Sequence, residues 1–492
     1  MERPKQETNL MSFSGGGMTS FGNDLLLLPY DGIIYKARPD MSAQRTAIRA
    51  PDTHRDEFRA LSETEAYKDY HFDLYYIRYN DLKYFEAGDQ RGLLASYTEY
   101  HSDGECATNT LARLDFASSA TTIDDVTAEP NDWEIVYRSS PCLKLKKRLS
   151  ALEAHMAGGR MAITGPETVY LTNGDYHMDG MRSDGHGIAQ DPENELGKVM
   201  RINYLTGESQ IVSMGHRNMQ GIAALPNGDV YVAEHGPQGG DELNLIREGA
   251  NYGWPKESYG LTYSSGKLPE SDSFGRHDTY TPPEFSWLPS PAISSMIYIK
   301  PSFHDAWTGD LLIGSLITES LWRVRFANGK PVYSEQIPIG SRIRSLWQHS
   351  NGQIVLWTDN HELIWLTARD IGGYAPVLDE YVKWHGISPA TANRLAASVE
   401  RCAECHSFQM AANSRSPSLA RIYGERIASS SYAGYSDALR TKGGRWTDEN
   451  LADFLTDPQS FSPGTTMPNV MEGDRATAED VVKFLKYYND KF

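Results

Sequence analysis

The sequence predicts a mainly β protein, a six-bladed β-propeller followed by a small all-α domain. Three observations carry that expectation. A phrase of two β-rich runs around a polar turn recurs through residues 1–370. The texture then changes to Ala- and Leu-rich helical spacing. Finally, 28 tyrosines, 10 tryptophans, 42 glycines and 25 prolines suit a turn-rich β chain better than a helical one. At 492 residues and 40% hydrophobic composition, the chain exceeds one ordinary domain and can bury a large core.

The recurring phrase reads "LLLLPYDGIIYKAR" (25–38), "AITGPETVYLTNGD" (162–175), "AALPNGDVYVAEHG" (223–236) and "WQHSNGQIVLWTDN" (347–360). Asn-Gly between such runs marks a hairpin, because both residues tolerate the positive φ of a tight turn. "WTGDLLIGSL" (307–316) is a weaker fifth copy. The copies stand roughly fifty to sixty residues apart, or a multiple of that, with no helical period between them. This suggests repeated four-stranded sheets, and about 370 residues accommodate six blades with long loops. A pair of β-sandwich domains is the alternative on pattern alone.

Gly372, Gly373 and Pro376 mark a linker, placed at 371–385. The helical domain occupies 386–492. "SPATANRLAASVERCAECH" (388–406) reads as a helix with Ser388 or Thr391 near its start. "TAEDVVKFLKYYND" (477–490) reads as a second, capped by Thr477, with Val481, Phe484, Leu485 and Tyr488 on one face.

A net charge of -18 argues against a nucleic-acid partner and reads first as solubility. No run of about eighteen apolar residues exists, so no transmembrane segment is expected. "LLLL" (25–28) is too short for a signal-peptide core, and no export signal is visible.

Half of the four cysteines stand in "RCAECHSF" (401–408). Cys402, Cys405 and His406 have the spacing of covalent haem attachment: two thiols add to the haem vinyl groups and the next imidazole faces the iron. "SPGTTMPNV" (462–470) offers Met467 as sixth ligand, in a loop stiffened by Pro463 and Pro468, with Met471 as rival. His/Met ligation raises the potential, as an electron acceptor needs. The competing readings are a redox disulfide and half a zinc site, but this part has no third cysteine and no histidine after 406. The domain resembles class I cytochromes c through the C-A-E-C-H run, "PSLARIYG" (417–424), Tyr435, Trp446 and "PGTTMP". The resemblance implies haem c and, since such attachment occurs outside the bacterial cytoplasm, a periplasmic or otherwise exported protein. An oxidising compartment permits a Cys106–Cys142 disulfide, a pairing the sequence leaves open.

The densest chemistry is "GHRNMQGIAALPNGDVYVAEHGPQGGDELNLIREGANYGWP" (215–255). Arg217 and Asn218 precede a hairpin. In "HGPQGGDE" (235–242) backbone carbonyls with Asp241 and Glu242 offer an oxygen-only site that favours calcium, unless the loop is simply a solvated acidic one. This stretch, through "GHRN-x-QG", "E-x-GP" and "N-x-GWP", resembles the soluble quinoprotein glucose dehydrogenase, aldose sugar dehydrogenase and sorbosone dehydrogenase family over roughly residues 84–366. Those proteins are six-bladed propellers holding pyrroloquinoline quinone (PQQ) and calcium at the top of the central channel. The resemblance implies that Gln90 touches substrate, that His155 is the general base, and that Arg217 lies beside quinone and substrate oxygen with Asn218 on the quinone. It further implies that Gly236 and Pro237 give carbonyls to calcium, that Ser290 contacts the cofactor, and that Arg342 and Arg344 bind its carboxylates. On a strand those two arginines share a face, and guanidinium forks suit a tricarboxylate. The implied reaction is PQQ- and calcium-dependent oxidation of a sugar, polyol or related aldehyde. Electrons pass to the tethered haem and on to an external cytochrome, copper protein or respiratory chain.

Four departures bear on this. Ile317 stands where the family has lysine, one extra residue follows His155, Ala154 replaces an acidic or amide residue, and His235 replaces glutamine. They leave room for an alternative: a quinone-free propeller that binds a partner or carbohydrate and carries an electron-transfer cytochrome c domain.

Overall fold

The structure, a computed structural model, describes residues 5–7, 16–67, 74–144, 154–179, 187–268, 271, 275–368, 374–408, 416–430 and 432–491. The chain divides into two compact units, Met1–Ala368 and Arg369–Phe492.

The first unit contains six sheets, antiparallel but for the short parallel pairing of Thr127–Ala128 with Met41–Arg49 at the outer edge of the first. Their innermost strands are Gly17–Phe21, Tyr79–Ala87, Gly158–Ile163, Met219–Ala224, Ile293–Tyr298 and Ile343–Gln348. Each packs on the next and the sixth returns to the first, so they surround one axis. Along each blade the chain then runs outward strand by strand. The sixth blade takes its outer strand from the other end of the chain: Lys5–Glu7 pairs antiparallel with Glu362–Leu366, Gln6 opposite Leu363. That pairing ties the first blade to the last, and closure leaves no central sheet edge open.

The recurring phrase folds as expected. In blade one, Asp24–Leu28 pairs with Ile33–Arg38. In blades three, four and six the phrase is the innermost hairpin. "LLIGS" (311–315) pairs with the innermost strand of blade five. Apolar side chains between neighbouring sheets supply the core: Leu25, Leu27, Val355, Trp357 and Trp365 fill one such layer, each at most 1% exposed. A buried Leu or Val stabilises by about 1.5–3 kcal/mol. Cys106 and Cys142 form a disulfide that fastens the short strand Leu143–Lys144 to Cys106–Asp115 in blade two.

The second unit is helical, with its own core. Ser388 caps Pro389–Ala403, its hydroxyl accepting from the Thr391 N–H. The last helix spans Arg475–Asn489 and buries Val481, Phe484, Leu485 and Tyr488 as one face. Its cap is Asp474, not Thr477, because the Asp474 carboxylate accepts from the Thr477 N–H and takes the capping role one turn earlier. The segment expected as a linker departs from expectation too. Gly372 and Gly373 lie outside the described residues, but Ala375–Trp384 is a helix whose Val377, Leu378 and Tyr381 are buried in the helical core. Pro376 sits in its first turn, where a missing N–H breaks no helical bond. Among the described residues no helix is long and apolar enough to cross a membrane.

Candidate functional site

The entrances to the innermost strands converge on a cavity of about 150 Å³ at one end of the axis. Four arginines line it, Arg78, Arg160, Arg217 and Arg344, together with His155 and His235, and no carboxylate is among its lining residues. In a chain of net charge -18 this is a concentrated patch of positive charge.

Arg217 is the most elaborately held. Its Nη1 donates to the carbonyls of His235 (2.7 Å) and Gly236 (3.2 Å), and its Nη2 to the Tyr263 hydroxyl (3.3 Å). Its guanidinium lies 5.3 Å from the centre of the Trp254 ring, while buried Nε has no hydrogen-bond partner among the described residues. The backbone beneath is pinned by Glu234, which accepts from Arg217 N–H (2.8 Å) and Asn244 Nδ2 (2.7 Å) and faces His216 Nδ1 (2.9 Å). Burial disfavours the Glu234 charge, but His216 and these hydrogen bonds outweigh it and hold its carboxyl below the usual range. Asp175 lies on the other side. Trp254 Nε1 donates to its Oδ2 at 2.6 Å. Burial pushes the Asp175 pKa up to about 6, with Arg217 opposing and Asp179 reinforcing.

His155 lines the cavity from the turn Ala154–Met156 and is exposed. The strand that follows has an irregularity between Gly158 and Met161, where Gly158 and Gly159 take φ of 68° and 79°. A Cβ on Gly159 would stand 2.4 Å from that of Asn80, so the wall closes only around glycine. His235 is also in the wall. Burial first, then Arg217, keep its imidazole pKa below the ordinary value, although Asp241 opposes them.

Arg344 reaches the cavity and Arg342 does not. Both donate from Nε to Asp359, at 2.7 and 2.9 Å, so they share a face and one carboxylate, but Arg342 precedes the strand and its side chain is 44% exposed. Asn218 lines the cavity and accepts from Gln220 Nε2 at 2.8 Å. Ser290 is not in the lining. Its hydroxyl donates to Asp241 (2.6 Å), which also accepts from the N–H groups of Gly236 and Ile293 and so knots the two loops behind the wall. Gln90 is corrected outright. It opens the strand Gln90–His101 and pairs with Ala87 across an exposed hairpin turn. Seven residues of strand, Asn80 to Ala87, separate that turn from the cavity wall at about 3.3 Å each, so Gln90 cannot touch a substrate in the cavity. Of the other departures, Ile317 is 66% exposed and Ala154 is buried.

Calcium fits poorly. The Gly236 carbonyl already accepts from Arg217 Nη1 and from His235 Nδ1 (2.6 Å), and Pro237 is buried beside it. No cluster of three or more His, Cys, Asp or Glu able to hold a metal occurs among the described residues.

The sequence reading missed Arg78, Asn80, Arg160, Asp175 and Trp254. A signal existed for three of them: polar residues stand at the mouth of successive innermost strands, as Arg78-x-Asn80, Gly158-x-Arg160 and Asn218-x-Gln220.

In the helical unit Cys402 is buried, Cys405 is exposed, and the two are not bonded to each other. Burial pushes the Cys402 thiol up to about 11. His406 Nδ1 is 2.8 Å from the Pro417 carbonyl. A carbonyl only accepts, so Nδ1 carries the proton and Nε2 presents its lone pair. Met467 is partly buried against the core, and Met471 is buried within it.

Residues 85–365 match the glucose/sorbosone dehydrogenase family, more than half of the chain. The chain belongs to that family. As a glucose/sorbosone dehydrogenase family member it is 32% identical over 222 residues to the protein slr1608 of Synechocystis, covering 42% of this chain and 53% of that one. The chain thus spans about half the length of that relative. It is 29% identical over 299 residues to the aldose sugar dehydrogenase YliI of Escherichia coli, 57% of this chain and 74% of that one. The fold agrees with the apo-form structure of the soluble Escherichia coli aldose sugar dehydrogenase, with TM-score 0.57 and 22% identity over 75% of this chain and 100% of that one. The C-terminal part is similar to the cytochrome c homolog of Rickettsia typhi, 39% identical over 104 residues, 21% of this chain and 59% of that one. The family member is therefore a six-bladed propeller followed by a small helical part with cytochrome c relatives.

Proposed function

We propose that the propeller is a PQQ-dependent dehydrogenase of an aldose sugar or related alcohol or aldehyde, which passes electrons to a haem c on the helical unit and then to an external acceptor. The observation that carries this reading is the cavity lining of four arginines with no carboxylate. It suits a tricarboxylate, and the buried donor Arg217 Nε is uncommitted. When bound, the quinone supplies the two-electron acceptor for hydride leaving the substrate carbon. Arg78, Arg160 and Arg344 hold and orient its carboxylates. Arg217, pinned through Glu234, stabilises negative charge developing on oxygen beside it. The exposed imidazole of His155 takes the hydroxyl proton onto a ring nitrogen. His235, whose lowered pKa keeps it neutral, adds no competing charge. Ca2+ at Gly236 would have to displace Arg217 and His235 from that carbonyl, and no step is routed through it.

In the helical unit, Cys402 and Cys405, which are in no disulfide, would form the thioether bonds, and His406 Nε2, with Nδ1 tied to Pro417, is the proximal ligand. Met467 is the sixth ligand. Haem attachment and the Cys106–Cys142 disulfide both favour an exported protein.

The test is to load the purified full chain with PQQ, with and without calcium, add aldoses and alcohols, and follow haem absorption. Reduction that requires both quinone and substrate is the expected result. Sugar binding with no spectral change would instead identify a binding propeller and sink the dehydrogenase reading.

A further inference from the structure

The cavity is not the end of the axis. Arg160 and Gln220 line it and also line a chamber of about 20 Å³ beneath. The chamber is walled by polar groups, Asp81, Lys83, Ser295 and Ser345 among them. Its volume is that of about one water molecule. Two buried polar atoms of its lining residues, Arg160 Nε and Ser295 Oγ, have no hydrogen-bond partner among the described residues. Orphaned donors in a polar chamber of that size are what a buried water satisfies. On its far side Lys83 lines both the chamber and a wider cavity of about 290 Å³, which also holds Lys300, Trp347 and Gln348. The three spaces thus follow one another along the propeller axis.

We propose that this axis is a proton exit: a water held by Ser295 Oγ and Arg160 Nε receives protons from the upper cavity, and Lys83 relays them to the opposite mouth. The proposal rests on the dehydrogenase reading, and its need follows from stoichiometry. Oxidising an alcohol to a carbonyl releases two electrons and two protons. Two haem reductions, Fe3+ to Fe2+, consume both electrons and neither proton, so two protons must leave the cavity each turnover. The upper mouth is the entry shared by substrate and product, with exposed Tyr263 in the cavity lining and exposed Leu288 and Ile317 on neighbouring loops, so a separate route frees it of proton traffic. Tyr263 touches Arg217, Leu288 lies against Gly239, and the Ile317 N–H donates to Pro291.

Lys83 is built for the relay. Its Nζ is 2.8 Å from Asp81 Oδ1 and 5.1 Å from the centre of the Trp347 ring. Asp81 also accepts from the N–H groups of Leu82 and Met161, both at 2.9 Å, and so stays fixed. Burial lowers the Lys83 pKa, which eases release of its proton; Asp81 opposes that shift and Arg160 adds to it. In each passage the ammonium gives a proton to the lower cavity, and the amine takes one from the chamber water. That water is restored by a proton from above, and no bond order or oxidation state changes along the way.

Two experiments test this. A crystal structure of the full chain should show a water on Ser295 Oγ and Arg160 Nε; a dry chamber overturns the proposal, and this readout needs no cofactor. In stopped flow, the PQQ-loaded double variant Asp81→Asn/Lys83→Met removes both charges together, leaving no stranded carboxylate. Its substrate-driven haem reduction should slow by about tenfold or more, with a larger solvent deuterium isotope effect. Ser295→Ala, the gentler change, should slow it by about threefold and guards against a misfolded double variant. Unchanged rates in both variants overturn the exit while leaving the dehydrogenase standing. Absence of substrate-driven haem reduction in the unmodified loaded chain sinks the parent reading and the exit together.

Discussion

On the proposed reading, the propeller cavity and the C-x-x-C-H run would solve the same problem, holding a redox group, in opposite ways. The cavity spreads its grip over four guanidinium groups from blades two, three, four and six. The helical unit concentrates its candidate ligands in residues 402–406 and one loop. A distributed electrostatic grip should fail by degrees, because each arginine has its own anchors: backbone carbonyls for Arg78, Arg160 and Arg217, and the Asp359 carboxylate for Arg344. A covalent, local grip should fail completely when one group is lost.

The largest effect is therefore expected in the helical unit. Cys402→Ala with Cys405→Ala should leave no haem attached to the denatured chain; pigment surviving denaturation would erase the contrast. In the cavity, Arg217→Ala should cost two to three orders of magnitude in substrate-driven haem reduction, the scale for a donor aimed at developing charge. A milder loss would show that the ring of arginines shares that task as well.

The next effect concerns stability. Folded Asp175 keeps its proton up to about pH 6, whereas its unfolded value is 3.8. Between those values the folded state binds more protons than the unfolded one, so stability falls as pH rises, by about 3 kcal/mol at most. Asp175→Asn holds a neutral amide at every pH. Its unfolding free energy relative to the unmodified chain should therefore rise between pH 4 and 6; parallel curves in urea titrations would contradict the buried carboxyl. Smaller still, Arg344→Ala should weaken quinone uptake by about tenfold. Arg342→Ala, outside the lining, should weaken it less than about threefold, since an exposed ion pair is worth under about 1 kcal/mol. Equal losses would restore the arginines as a matched pair. Last, Gln90→Ala should leave turnover within about twofold, because that side chain lies at the exposed turn at the far end of the strand from the cavity.

The same contrast explains what the sequence made legible. The C-x-x-C-H run is readable because its geometry is fixed by neighbours in the chain, and the hairpins of blades four and six because Asn-Gly sets their turns. Blade two had no such marker. Its hairpin turns at Gly88 and Asp89, and "GDQ" there resembled a substrate-binding motif when it was only a turn. The wall of the cavity is the harder case. Arg78, Arg160 and Arg344 are far apart in sequence and meet only after six sheets close into a ring, so no local window contains the site. Asp175 was hidden for another reason: what distinguishes it is burial beside Trp254, a property of packing rather than of spacing.

The Cys106–Cys142 cross-link has a practical consequence for anyone making this protein. It closes a loop of 36 residues, and loss of such a closure typically removes about 3–4 kcal/mol. A reducing host cytosol would strip that brace and, on the proposed reading, also leave haem unattached. Production routed through an oxidising compartment should therefore rescue two defects at once, and yield compared between the two routes measures how much of the blade-two scaffold depends on one sulfur–sulfur link.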